Sequence, residues 1–88
     1  MTWDIKWSPT ANKQLQRIAK SNTTAAGQIV KRLEEIAEDP FNLTDKLHGT
    51  DLRKFRSGNY RVIVSLDEQK IIVFVVEVGS RSKIYTKY

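Results

Sequence analysis

Leu52-Arg53-Lys54-Phe55-Arg56-Ser57-Gly58-Asn59-Tyr60-Arg61-Val62-Ile63-Val64-Ser65-Leu66 decides the fold of this 88-residue chain. Strand-forming residues fill both halves, and Ser57-Gly58-Asn59 supplies the tight turn between them. The stretch predicts two antiparallel strands, about 52–57 and 60–66. Lys54 and Arg56 are two positions apart and share a face, while Phe55 points the other way. Past the turn, Tyr60, Val62 and Val64 alternate with Arg61, which falls near the level of Arg56. Like charges facing each other across a ladder are unfavourable by roughly a few tenths of a kcal/mol or more. A sheet that tolerates such crowding has a use for an anion, although an ordinary exposed basic strand face has the same residues.

Working outward, Asp67-Glu68-Gln69 leads into a third strand, about 70–78. Its run Ile71-Ile72-Val73-Phe74-Val75-Val76 is apolar on both faces, which places it centrally in the sheet and predicts cover on both sides. Towards the N-terminus, Trp3, Ile5 and Trp7 alternate with Asp4 and Lys6, the period of a half-buried strand. Ser8-Pro9 has the chemistry of a helix start: serine caps, and proline sits where its missing N–H costs nothing. Ala11, Leu15, Ile18 and Ala19 follow at helical spacing until Ser21-Asn22. A second helix, about Thr23 to Glu38, has the apolar stripe Ala26, Ile29, Val30, Leu33, Ile36 and Ala37. Asp39-Pro40 ends it, because the residue before proline resists the helical region. Residues 40–51 form a turn-rich connection. The order β-α-α-β-β-β is an α+β fold: a small, mostly antiparallel sheet with an N-terminal two-helix hairpin packed on one face, one domain spanning 1–88.

At this length the core is thin, since a small domain buries only somewhat over ~60% of its unfolded surface. There are no cysteines and one histidine, so neither disulfides nor a zinc cluster supplements it. That composition suits a reducing cytoplasm. No apolar run approaches the ~18 residues of a membrane span, and Met1-Thr2-Trp3-Asp4-Ile5-Lys6 has no signal-peptide pattern. Fifteen basic residues against ten acidic give a net charge of +5 and a pI near 9.7. The excess is +1 over residues 1–44 and +4 over 45–88. Concentrated in the strand region, it points to an anionic partner, nucleic acid first.

Cations brought together by separate strands make a site for a polyanion. Lys54, Arg56 and Arg61 come from the hairpin; Arg81 follows the third strand in Val78-Gly79-Ser80-Arg81-Ser82-Lys83-Ile84-Tyr85. Tyr85 there serves either proton chemistry or packing over the sheet edge. Tyr60 belongs to the core or its rim and Tyr88 to a frayed end. His48, in a Leu-His-Gly turn, has no partner by spacing. Trp3 and Trp7 read as sheet-face residues rather than base-stacking platforms.

With Lys46-Leu47-His48-Gly49, then Leu52 to Val62, then Val76-Glu77-Val78-Gly79-Ser80-Arg81 running on to Tyr85, the chain resembles the RelE/ParE toxin superfamily, specifically its RelE branch. The resemblance covers nearly the full length. It implies a toxin of a type II toxin–antitoxin pair that cleaves translated mRNA in the ribosomal A site, needing no metal or cofactor. The catalytic set it implies is Lys54, Arg61, Arg81 and Tyr85, with Arg56, Arg53, Lys83 and Lys46 as further contacts to RNA. In that scheme Arg61 and Arg81 hold the phosphate, and Tyr85 is the general base, its phenolate favoured by neighbouring cations. The partners implied are the ribosome, mRNA and a cognate antitoxin bringing an acidic amphipathic segment. One departure stands out: a family lysine two residues before Lys54 is Leu52 here. The alternative is a ParE-like toxin that inhibits DNA gyrase without nuclease activity. ParE relatives generally lack the full catalytic set, so Arg81 and Tyr85 favour the RNase side.

Overall fold

The computed structural model describes residues 2–88, with the side chains of all of these except Tyr85 and Thr86. The hairpin forms as its turn chemistry requires. Gly58 takes a φ of 59°, the left-handed region that glycine enters without cost. Strand β3 (Arg53–Ser57) then pairs with β4 (Tyr60–Asp67) in the register Phe55 to Val62, Arg56 to Arg61 and Ser57 to Tyr60. Strand β5 (Ile72–Ser80) pairs antiparallel with β4, and β1 (Asp4–Trp7) lies parallel to β5 on its far side. A two-residue strand, β2 (Asp45–Lys46), closes the opposite edge, giving the order β1-β5-β4-β3-β2. Ile71 immediately precedes β5 with a φ of 58°, a region β-branched residues enter only under constraint. Its carbonyl accepts the Asp4 N–H at 2.9 Å, which ties β1 alongside β5.

Helices α1 (Pro9–Ser21) and α2 (Thr23–Ile36) form the expected hairpin and cover one sheet face. Ala11, Ile18, Ala26, Ile29, Leu33 and Ile36 from the helices meet Phe55, Val62, Val64, Val73, Val75 and Val78 from the strands, all buried. Trp3, Ile5, Trp7 and Tyr60 pack half-buried against this core. Where β1 stops, α1 satisfies the exposed edge of β5. Ser8 Oγ donates to the Val76 carbonyl at 2.8 Å and accepts from Ala11 N–H at 3.0 Å, while Gln14 Oε1 accepts from Val78 N–H at 2.6 Å. Ser8→Ala therefore loses a helix cap and leaves a strand carbonyl short of a donor. The expected loss is about 1–2 kcal/mol, seen as a lower urea midpoint with unchanged m. An unaltered midpoint would refute the dual role.

Three expectations are corrected. First, β5 is interior to the sheet but not covered along both faces. Phe74 is 39% exposed, because α1 and α2 occupy one face only. Second, residues 40–51 are more ordered than a loop: a one-turn helix, α3 (Pro40–Leu43), precedes β2, and Leu47 N–H donates to the Leu52 carbonyl at 2.9 Å. Pro40 thus opens a new helix as well as ending the last. Third, the chain beyond β5 folds into α4 (Arg81–Lys87), and Tyr88 is tied rather than frayed. Its hydroxyl donates to Glu77 Oε1 at 3.0 Å, and Lys87 Nζ lies 2.9 Å from the same oxygen.

Candidate active site

The register of the ladder puts Lys54, Arg56 and Arg61 on the sheet face opposite the helices, because each alternates with a core residue. Arg56 directly opposes Arg61, Lys54 opposes Ile63, and Arg61 opposes Gly79 on β5. Arg56 is exposed and Lys54 half-buried, whereas Arg61 is only 5% exposed. Burying a guanidinium beside a second arginine is costly, which marks Arg61 as the residue whose place needs a functional reason.

A cleft of about 380 Å³ opens along this edge, lined by Arg32, Leu43, Asp45, Lys54, Phe55, Arg56 and Arg61. It exists because β2 pairs only with Arg53 and Lys54, leaving the rest of β3 uncovered. Arg32 comes from the last turns of α2, where it also bonds Glu35 at 3.1 Å. Neither Arg32 nor Asp45 is among the residues the sequence singles out. No spacing signal reveals them, since α2 and β2 meet β3 only through tertiary packing.

Arg81 is delivered by α4. Its backbone N–H donates to the Asn59 carbonyl in the β3–β4 turn at 3.1 Å, so the helix starts against the turn that separates Arg56 from Arg61. Ile84 anchors the middle of α4. It is 3% exposed in a second, smaller cluster with Leu47 and Ile63, joined by half-buried Leu52 and Val76. Gly79 permits that contact: a Cβ there would stand 2.9 Å from Ile84 Cγ1. Leu52 thus contributes apolar cover beneath α4. At the end of the helix Glu77 binds Lys87 and Tyr88. The hydrogen bond to Glu77, then its charge, raises the Lys87 pKa; burial first, then the bond to Glu77, raises that of Tyr88.

The other expected contacts scatter. Arg53 sits on the helix face of β3: its Nε donates to Thr44 Oγ1 at 2.7 Å, its Nη2 to the Phe41 and Thr44 carbonyls, and its guanidinium covers the Phe41 ring. Lys46, its register partner, is exposed beside it. These two are therefore separated from Lys54, Arg56 and Arg61 by the sheet. Lys83 is exposed on α4, and His48 is exposed in the Leu47–Leu52 turn. The Tyr85 side chain lies outside the described residues. Among the described residues no group of three His, Cys, Asp or Glu side chains converges on a metal position, and no helix is long and apolar enough to cross a membrane.

A family profile described as the ParE toxin of type II toxin–antitoxin systems, parDE, matches residues 5–85. The chain is 32% identical over 80 residues to the mRNA interferase toxin RelE of Escherichia coli K12, an alignment covering 85% of this chain and 84% of that one. Among solved structures, the isolated Escherichia coli RelE toxin superposes with a TM-score of 0.78 at 29% identity, covering 97% of this chain and 93% of the toxin. The toxin of the intact Escherichia coli RelBE toxin–antitoxin complex does so with a TM-score of 0.73 at 29% identity, covering 89% and 95%.

Proposed function

Because the chain belongs to the ParE toxin family of type II toxin–antitoxin systems, and its relative RelE is an mRNA interferase, we propose that it is a ribosome-dependent endoribonuclease that stops translation by cutting mRNA. The observation that supports this most is the cation placement. Lys54, Arg56 and Arg61 share one sheet face, and Arg81 begins a helix bonded to the turn between those strands. Such an array suits the charge that develops on a phosphodiester as it is attacked.

RNA brings its own nucleophile, the 2′-hydroxyl, so the protein's task is to position and stabilise. Attack on the adjacent phosphorus builds negative charge on the non-bridging oxygens. Arg61 and Arg81 are assigned to that charge, and donors fixed in advance stabilise the transition state beyond the ground state. Lys54 and Tyr85 complete the set, Tyr85 being the group the family resemblance assigns to proton transfer. Products are a 2′,3′-cyclic phosphate and a 5′-hydroxyl. Arginine and lysine are weak acid–base groups near neutrality, so presentation of the message by the ribosome must supply much of the acceleration. A cognate antitoxin with an acidic amphipathic segment is the expected inhibitor.

The test is induced expression followed by primer extension on a translated message. Cuts that disappear when translation is blocked support the reading. Intact mRNA together with lost gyrase supercoiling would favour the ParE-like alternative, and equal cutting of deproteinised RNA would refute ribosome dependence.

A further inference from the structure

We propose that Glu77 is a positioning residue: by holding the Lys87 ammonium and the Tyr88 hydroxyl together it keeps the end of α4 on the sheet, and so keeps Arg81 and position 85 set for cleavage. This rests on the reading that the chain cleaves RNA. Glu77 lies outside the cleft that Lys54, Arg56 and Arg61 line, and acts on it only through the helix.

Helix α4 cannot hold itself. It is seven residues long, and isolated helices shorter than ~12–15 residues are marginal in water. Its place is therefore set by three attachments. At the start, the Arg81 N–H donates to the Asn59 carbonyl at 3.1 Å. In the middle, Ile84 packs on Leu47 and Ile63. At the end, the Tyr88 hydroxyl donates to Glu77 Oε1 at 3.0 Å, and Lys87 Nζ lies 2.9 Å from Oε1 and 3.2 Å from Oε2. The last turn closes where the Tyr88 N–H donates to the Ile84 carbonyl at 2.9 Å. Position 85 falls between the second and third attachments, so releasing the third frays the turn that contains it.

Strand β5 is shaped to offer this carboxylate. The register with β4 steps from Glu77 opposite Ile63 to Val75 opposite Val64, which makes Val76 an extra residue. Such a bulge bends its strand and re-aims the side chain beside it. The Glu77 side chain is only 12% exposed. A carboxylate drawn that far out of water needs partners, and Lys87 and Tyr88 supply them. Of the three attachments, the first is backbone and the second is core; Glu77 can be removed without touching either.

The experiment pairs two measurements on the full-length protein: single-turnover cleavage on ribosomes programmed with a defined message, and amide hydrogen exchange. Glu77→Ala is expected to lower the cleavage rate about 10–100-fold, as misplacement remote from the chemistry does, with ribosome affinity unchanged. The Tyr88 amide should exchange about 10-fold faster while the β3–β4 ladder keeps its protection. Lys87→Met combined with Tyr88→Phe leaves β5 intact and should give the same pair of changes. Glu77→Lys combined with Lys87→Glu rebuilds the ion pair reversed and should recover much of both, whereas Glu77→Lys alone should not. A wild-type rate in the loosened variants overturns the proposal, as does a slow variant whose α4 exchange is unchanged. Protection lost across the whole sheet overturns it too, since Glu77 would then serve general stability. A wild-type protein that cuts no message removes the nuclease reading and the positioning role with it; that result is told apart because the exchange difference at Tyr88 persists.

Discussion

Arg61→Met is expected to lower cleavage of a translated message by about 10²–10³-fold, equivalent to ~3–4 kcal/mol of lost transition-state stabilisation, with the protein still folded. The size follows from burial. A guanidinium that is 5% exposed acts on phosphate with little solvent screening, unlike exposed Arg56 opposite it. The fold should be retained because methionine fills a similar volume and removes a like charge from the directly opposed Arg56. Arg61→Lys should recover only part of the rate, since an ammonium lacks the planar fork that matches two phosphate oxygens. Primer extension and thermal melting of the purified proteins check both halves. A variant that cuts at the wild-type rate removes Arg61 from the site; one that fails to fold makes it a structural ion instead.

Phe55→Ala should cost about 3–5 kcal/mol, lowering the melting temperature by ~15–25 °C for a domain of this size. Phe55 is 4% exposed and packs between the β4 valines and α2, while its neighbours Lys54 and Arg56 face the cleft. The core that holds β3 therefore also aims the cations. Small domains have total stabilities of roughly 5–15 kcal/mol, so the variant should be largely unfolded under growth conditions and lose toxicity. Phe55→Leu keeps most of the volume and should retain both fold and toxicity. Denaturant melts of the two variants test this, and a Phe55→Ala midpoint close to wild type would show that the core repacks around the loss.

The hairpin and the helical pair were legible because each is encoded within a short window. Gly58 fixes the turn, the turn fixes the register, and the register puts Arg56 opposite Arg61. Ser8-Pro9 starts α1, and the apolar spacing of α2 matches its buried residues except Val30, which lies at the border of the stripe and is 37% exposed. The sequence also implied an apolar face on β5, but not that part of it stays open. A strand's composition cannot say how far two helices reach across it.

Several features became visible only in three dimensions. Helix α4 is seven residues long and has no strong periodicity; it is anchored where Ile84 meets the bare backbone of Gly79 and where Glu77 holds Lys87 and Tyr88. Strand β2 is two residues and exists because β3 offers it a ladder. Arg53 illustrates the limit most clearly. Strand alternation separates it from Lys54 and Arg56, yet only packing shows its guanidinium engaged by Phe41 and Thr44.

By itself, then, the sequence determined what short-range rules control: which segments become strands and helices, which residues alternate, and that Lys54, Arg56 and Arg61 share a face. Tertiary structure alone decided which cations are buried, that Arg32 and Asp45 join the cleft, and that α4 carries Arg81 to the hairpin turn. The reason is physical. Local geometry depends on a residue's neighbours along the chain, whereas a cleft is made by side chains distant in sequence that meet only after the core has closed.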